Sequence, residues 1–427
     1  MKGLRQRLIL LVWCVAIWAF FQFCYEYTFY YKEQNQLFLL SWDYVQTYFS
    51  RPAWASLLAG DFLTQYFYYQ YAGAAIFAVT LFLTGDMLAT ALRRMGVNGV
   101  VATAAALVVT ALLAVFNFSP DYRLSSVVAL TGTLLLLLLW TLLLRCRLWI
   151  KVAGGVVGLL LAWRLFAFGT PCWGTLSTPY FQLEDYLAAD NLYYFGKYDK
   201  LTEQVEAMDE KEVTPVISSY YYMAQVRRGL LLQSLGKVKP VSLGTLHRLG
   251  PNSTIQEIKM MSELYFLLGD MTMAERAAMI GCVSSPDNRN VRMIRRLAEV
   301  NLVAGDDEAA MKYLRILEKT AVYSHWARAN RPGHINITLE TKKKFVNTTD
   351  RLRTSDDCRD AIIGLLESNP RNRIALNYLL CTDILVGGGS LFAEDYKKYY
   401  LPVYGEAHEH LYRKTLRGYY GRKKKKE

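Results

Sequence analysis

Hydrophobic positions along this chain fall into two regimes. Up to about residue 170 they come in unbroken runs, near 8–24, 72–92, 97–117, 124–144 and 149–168. A helix needs about 20 mostly apolar residues to cross a hydrocarbon layer of ~30 Å, so each run predicts a spanning helix. The segment TLLLLLLWTLLL around Leu134 is apolar on every face, which excludes a half-exposed globular helix there. After GTPCWGTLSTPYF the pattern changes to apolar residues at three- and four-residue spacing, with no convincing period-two run. The expected fold class is all-α: a five-helix transmembrane bundle over 1–170, a helical-repeat α-solenoid over 171–421 and a basic tail over 422–427.

Charge sharpens this division. The first 170 residues carry only 12 Lys and Arg and 6 Asp and Glu, too few for a water-facing surface. Seven cysteines in 427 residues are too sparse for a disulfide scaffold, and the apolar content excludes a disordered chain. Lys2, Arg5 and Arg7 precede the first run as they would in a signal peptide. No small-x-small cleavage site follows, so an uncleaved anchor is expected. With a cytoplasmic N-terminus, the inner side collects Lys2, Arg5, Arg7, Arg93, Arg94, Arg145, Arg147 and Lys151, the outer side only Lys32, Arg51 and Arg123. Five spans with that bias place the C-terminal region outside the cytoplasm.

The loop 25–71 is crowded with tyrosine, tryptophan and phenylalanine, rings that favour the headgroup layer. Two amphipathic helices, NQLFLLSWDYVQTYFS and PAWASLLAGDFLTQYFYYQY, are expected to lie flat on the outer leaflet. The alternative is a platform for sugars or lipid headgroups beside Asp43 or Asp61. Within the spans, Asp86 lies toward the inner end of the second and Arg164 toward the outer end of the fifth. Snorkelling to the nearer interface is expected of both, ahead of a direct ion pair. Gly154, Gly155 and Gly158 read as a small-residue packing face.

In the C-terminal region a phrase of helix, glycine, short polar turn and helix repeats at Gly196, Gly236, Gly269 and Gly305, spaced by 40, 33 and 36 residues. These spacings bracket the 34-residue tetratricopeptide (TPR) period. Each glycine sits where a helix C-terminus needs a left-handed residue, and Asp270 or Asp306 can cap the helix that follows. Ala274, Ala277, Ala278, Ala309 and Ala310 supply small side chains for close helix contact. The arrangement resembles TPR-like proteins. On RPAWASLLAGDFLTQYFYYQYAGA and ERAAMIGCVSSPDNRNVRMIRRLAEVNLVAGDDEAAMKYLRILEKT, the chain as a whole resembles an uncharacterised family of bacterial multi-pass membrane proteins. That resemblance implies no activity, cofactor or catalytic residue.

Signals for chemistry are few. Of five histidines, only those in Glu406–His410 (EAHEH) cluster; on a helix Glu406 and His410 would share a face, and a solvated surface is the expectation. No CxxC, GxGxxG, P-loop or GxSxG motif occurs. Cys358 and Cys381, on adjacent helices, are expected as buried thiols, with a disulfide the alternative. VGGGS at 386–390 reads as a loop. Without the 422–427 tail, residues 171–421 hold 32 basic and 30 acidic residues, which is no nucleic-acid footprint. The tail suits anionic lipid or is a solubilising end. The expectation is a bacterial inner-membrane protein, more a binder than an enzyme. Its partners are the bilayer and a protein or peptide on the solenoid, with no cofactor, no metal and no nucleic acid. The alternative is a membrane glycosyltransferase-like enzyme acting on lipid-linked sugars, with Asp43 or Asp61 as its carboxylate.

Overall fold

The apolar runs fold as the sequence pattern requires. A computed structural model describes residues 2–166, 178–334, 343, 357–387 and 389–423. It is 75% helical, with no strand among the described residues. In chain order, α1 (Lys2–Cys24) is followed by α2 (Tyr27–Gln34), α3 (Trp42–Phe49) and α4 (Trp54–Thr64). Then come α5 (Ala72–Arg94), α6 (Gly99–Phe116), α7 (Leu124–Thr141) and α8 (Leu148–Phe166). Five helices, α1 and α5 to α8, are long and apolar enough to cross a membrane, and the chain is a membrane protein. The chain divides into one unit of Met1–Leu187 with Ile316–His325 and another of Ala188–Arg315 with Trp326–Glu427.

In the first unit, Leu10, Cys14, Ile17 and Phe21 of α1 pack with Phe77 and Leu81 of α5 and Ala106 and Leu113 of α6. The aromatic loop is more tightly built than a surface-lying pair of helices. A Cβ on Gly60 of α4 would stand 2.5 Å from the Ser125 Cα of α7, so glycine is what allows these backbones to meet. Ser56, Gly60 and Thr64 form the buried face of α4. The membrane charges resolve separately: Asp86 pairs with Arg7 of α1 at 2.9 Å. Arg164 donates to the carbonyls of Phe49 at 2.7 Å and Arg51 at 3.0 Å, satisfying the end of α3. Helix α8 buries only Ala162.

The second unit opens with α9 (Phe181–Tyr194, beginning in the first unit), α10 (Tyr198–Glu206), α11 (Pro215–Arg227, capped by Thr214) and α12 (Leu231–Ser234). After these follow α13 (Ile255–Leu268), α14 (Met271–Val283), α15 (Val291–Ala304) and α16 (Asp307–Leu317). Gly196, Gly236, Gly269 and Gly305 all adopt the left-handed conformation, with φ of 70°, 87°, 89° and 82°. A Thr254–Glu257 capping box starts α13. Asp270 accepts from Met273 N at 3.2 Å, and Asp306 from Ala309 N at 2.9 Å, so both aspartates cap as their position beside glycine suggests. Ala274, Ala277, Ala278 and Ala310 are fully buried.

The centre of this unit is polar as well as apolar. Arg292 of α15 reaches Asp190 of α9 at 2.8 Å and Glu263 of α13 at 3.1 Å, and Arg296 bonds Glu263. Tyr220 OH donates to Asp190 at 2.6 Å, and the Arg292 guanidinium lies 4.4 Å from the Tyr194 ring. Burial alone would raise Glu263, but Arg296 and Arg292 hold its carboxyl down at about 2. Further along, Asn372 joins two helix ends: its amide donates to Leu268 O at 2.8 Å while its Oδ1 caps the helix Arg373–Leu385. Cys358 and Cys381 are buried on neighbouring helices without a disulfide, whereas Cys172 lies outside the described residues.

Candidate functional site

Two places concentrate polar groups beyond what folding of a helix requires. The first, in the membrane unit, is built on α2, which none of the apolar runs announced. Helix α2 has no side-chain cap of its own. The carboxylate of Glu184, on α9, supplies one, accepting from Tyr27 N at 2.5 Å and Thr28 Oγ1 at 2.8 Å. At the other end of α2, Lys32 Nζ donates to Asn117 Oδ1 at 2.6 Å and Asn117 O at 3.3 Å, placing a cation on the C-terminus of α6. Asn117 Nδ2 is buried with no hydrogen-bond partner among the described residues.

Burial governs the protonation of both charges. It pushes the Glu184 carboxyl up to about 8, against the opposing bonds from Thr28 and Tyr27. The stem of Lys32 is partly open but its ammonium is enclosed, and burial brings it down to about 7 although Asp121 and Glu184 act the other way. Close by, Glu26 accepts from Gln22 Nε2 at 2.8 Å. Buried Glu33 accepts from Tyr323 OH at 3.1 Å, and Leu40 N donates to Lys319 O at 2.5 Å. These two bonds bring Ile316–His325 onto the aromatic loop of the same unit.

The carboxylates singled out in the sequence are not brought together with this cluster. Asp43 stands exposed in the first turn of α3. Asp61, half-buried on α4, accepts from Tyr48 OH at 2.8 Å, and its backbone carbonyl accepts from Gln36 at 3.1 Å. Beside this charge, burial raises the Tyr48 phenol far above its ordinary range.

The second place is a cavity of about 840 Å³ in the second helical unit. Its apolar surface comes from Leu231 and Leu232 of α12, Ile374, and Leu411; its polar rim from Gln233, Arg373, Asn377, Glu409 and His410. Part of EAHEH therefore lines a cavity, but not as a shared helical face. The last helix begins at His410, leaving Glu406 and His408 in the preceding turn, so the i, i+4 arrangement expected of Glu406 and His410 does not form. Glu409 accepts from Arg373 Nη2 at 2.9 Å and Tyr400 OH at 2.8 Å. Burial alone would raise this carboxyl, and those bonds hold it below its ordinary value. A wall of rings backs it, with Tyr396 and Tyr400 stacked at 5.0 Å on a π-helical turn, Tyr396–Tyr400. Among the described residues no group of His, Cys, Asp and Glu is arranged to hold a metal.

Taken together, these features define an all-α membrane protein in which five membrane-capable helices are followed by a second helical unit. The chain belongs to a family of unknown function, DUF6057, which matches residues 2–177 and 156–426. No curated protein and no solved structure matches it.

Proposed function

We propose that this chain is a membrane-anchored binding protein rather than an enzyme, one that presents a TPR-like helical-repeat unit to a protein or peptide partner in the bacterial cell envelope. The observation that carries this reading is the 840 Å³ cavity with an apolar floor and a polar rim. A protein segment has that mixed character, and one of the helices lining the cavity, Arg373–Leu385, is held at its start by the Asn372 cap. The cationic bias of Arg93, Arg94, Arg145, Arg147 and Lys151 supports a cytoplasmic N-terminus and an extracytoplasmic helical-repeat unit. Envelope assembly or scaffolding is the role such an anchored binder would serve.

The test is a photo-crosslinking amino acid placed at Gln233 or Asn377 in the full-length protein in cells, with exposed Glu210 as the control position. Discrete adducts from both cavity positions, absent at Glu210, are expected; identical patterns at all three would overturn the reading. A second reading, chemistry on lipid-linked sugars, has one feature in its favour: Asp43 stands exposed beside exposed Trp42. If it holds, Asp43→Asn abolishes function at unchanged expression.

A further inference from the structure

On one side of the cavity the acceptor oxygens of two lining side chains are already engaged. Glu409 has both oxygens engaged, one by Arg373 and one by Tyr400. Asn377 Oδ1 accepts from Tyr412 OH at 3.0 Å, which leaves the amide NH2 of Asn377 facing outward as a donor. Arg373 hydrogen-bonds through Nη2 alone and lies 5.7 Å from the Tyr404 ring centroid, so Nε and Nη1 have no hydrogen-bond partner among the described residues, and its side chain is 60% exposed. Glu409 and Asn377 thus have their acceptor oxygens engaged from within, while N–H groups of the Arg373 guanidinium and the Asn377 amide remain as donors beside the apolar Leu231, Leu232 and Ile374. The cavity is partly open to solvent.

We propose that this cavity recognises an acidic peptide segment, seating an Asp or Glu carboxylate on Arg373 and Asn377 with flanking apolar side chains on Leu231, Leu232 and Ile374. The proposal rests on the binding reading above and specifies its ligand. A carboxylate suits Arg373 because an open guanidinium N–H, on Nε or Nη1, gives it a charge-assisted hydrogen bond. Glu409, itself held by Tyr400, ties the guanidinium through Nη2 and leaves Nε and Nη1 to the ligand. A neutral glutamine in the ligand brings one acceptor and two donors to a rim that already has donors, and a lysine brings charge repulsion.

The probe is an array of hexapeptides blocked at both ends, random in apolar positions, with one fixed position varied among Glu, Gln and Lys. A parallel set carries no acidic side chain but a free terminal carboxylate. Each is bound to the full-length protein in phosphatidylcholine nanodiscs. Glu peptides are expected to bind about tenfold or more tightly than Gln peptides, as for a charge-assisted pair. Arg373→Gln should erase that preference, Arg373→Lys should restore part of it, and Ile374→Asp should weaken every peptide. Binding without preference for Glu, or preference unchanged in Arg373→Gln, overturns the acidic specificity while leaving peptide binding intact. Selection of the free terminal carboxylates over internal Glu overturns the assigned source of the carboxylate. No binding by any peptide overturns the binding reading itself.

Discussion

Arg292 gives a sharp test of what holds the second helical unit together. Replacing it with methionine keeps much of the side-chain volume but removes the guanidinium that bonds Asp190 at 2.8 Å and Glu263 at 3.1 Å. All three groups are nearly inaccessible to solvent, so water cannot substitute. Removing one partner of such a buried set costs about 3–5 kcal/mol, and loss of the Tyr194 contact adds about 1–2 kcal/mol. Burying the methionine's extra apolar surface offsets about 1–2 kcal/mol. The net expectation is about 3–5 kcal/mol, a fall in Tm on the order of 10 °C for a unit of this size. The assay is thermal unfolding in detergent, followed by protection of buried thiols Cys358 and Cys381 from alkylation. Asp190→Asn combined with Arg292→Met should recover about 2 kcal/mol, because the remaining amide still meets Tyr220 OH and no lone carboxylate is left. A shift under about 2 °C for Arg292→Met, or no recovery in the double variant, would refute the reasoning.

The titratable groups at the two ends of α2, Glu184 from α9 and its own Lys32, predict a pH profile. Native Glu184 keeps its proton up to about 8 while the unfolded group loses it near 4.5, so stability falls as pH rises through that window. Native Lys32 loses its proton near 7 while the unfolded group keeps it to 10.5, so stability recovers as pH rises from 7. Melting curves of the membrane unit should therefore show a minimum near pH 7–8, with Glu184→Gln flattening the acid limb and Lys32→Met the alkaline one; an unaltered profile in both variants counts against the assignment. Gly269→Ala, at a φ of 89°, should cost about 1–2 kcal/mol, while Gly250→Ala, in open space at ordinary φ, should be neutral in the same melt. Gly60→Val puts a side chain where Ser125 backbone already stands, and α4 and α7 should separate with a loss of at least about 1–3 kcal/mol, read as faster proteolysis of the aromatic loop.

Features that depend on neighbouring residues were legible in the sequence, and features that depend on distant ones were not. The five spans follow from unbroken apolar runs, and the left-handed glycines from their place between an apolar helix and a polar turn. Asp270 and Asp306 were readable as caps because a cap acts three residues away. Glu184, by contrast, caps a helix more than 150 residues earlier. Lys32 finds Asn117 85 residues on, and nothing local marks either pairing. The one available hint was Lys32 and Glu33 amid tyrosines, a costly place for charge. EAHEH misled because a helix was assumed through it; the helix begins only at His410, and the cavity-facing member that matters is Glu409. The cavity's other residues, Gln233, Arg373 and Asn377, lie in segments whose sequence reads as ordinary helix surface.

The account stands or falls on an odd number of membrane crossings that delivers the helical-repeat unit to partners on the side opposite the N-terminus. The most direct measurement is a pair of reporters fused after Gly421 in cells, alkaline phosphatase, active only in an oxidising exterior, and a fluorescent protein that matures only in the cytoplasm. An active phosphatase and a dark fluorescent fusion are predicted. The reverse pattern would contradict five crossings and place the acidic-peptide cavity in the cytoplasm.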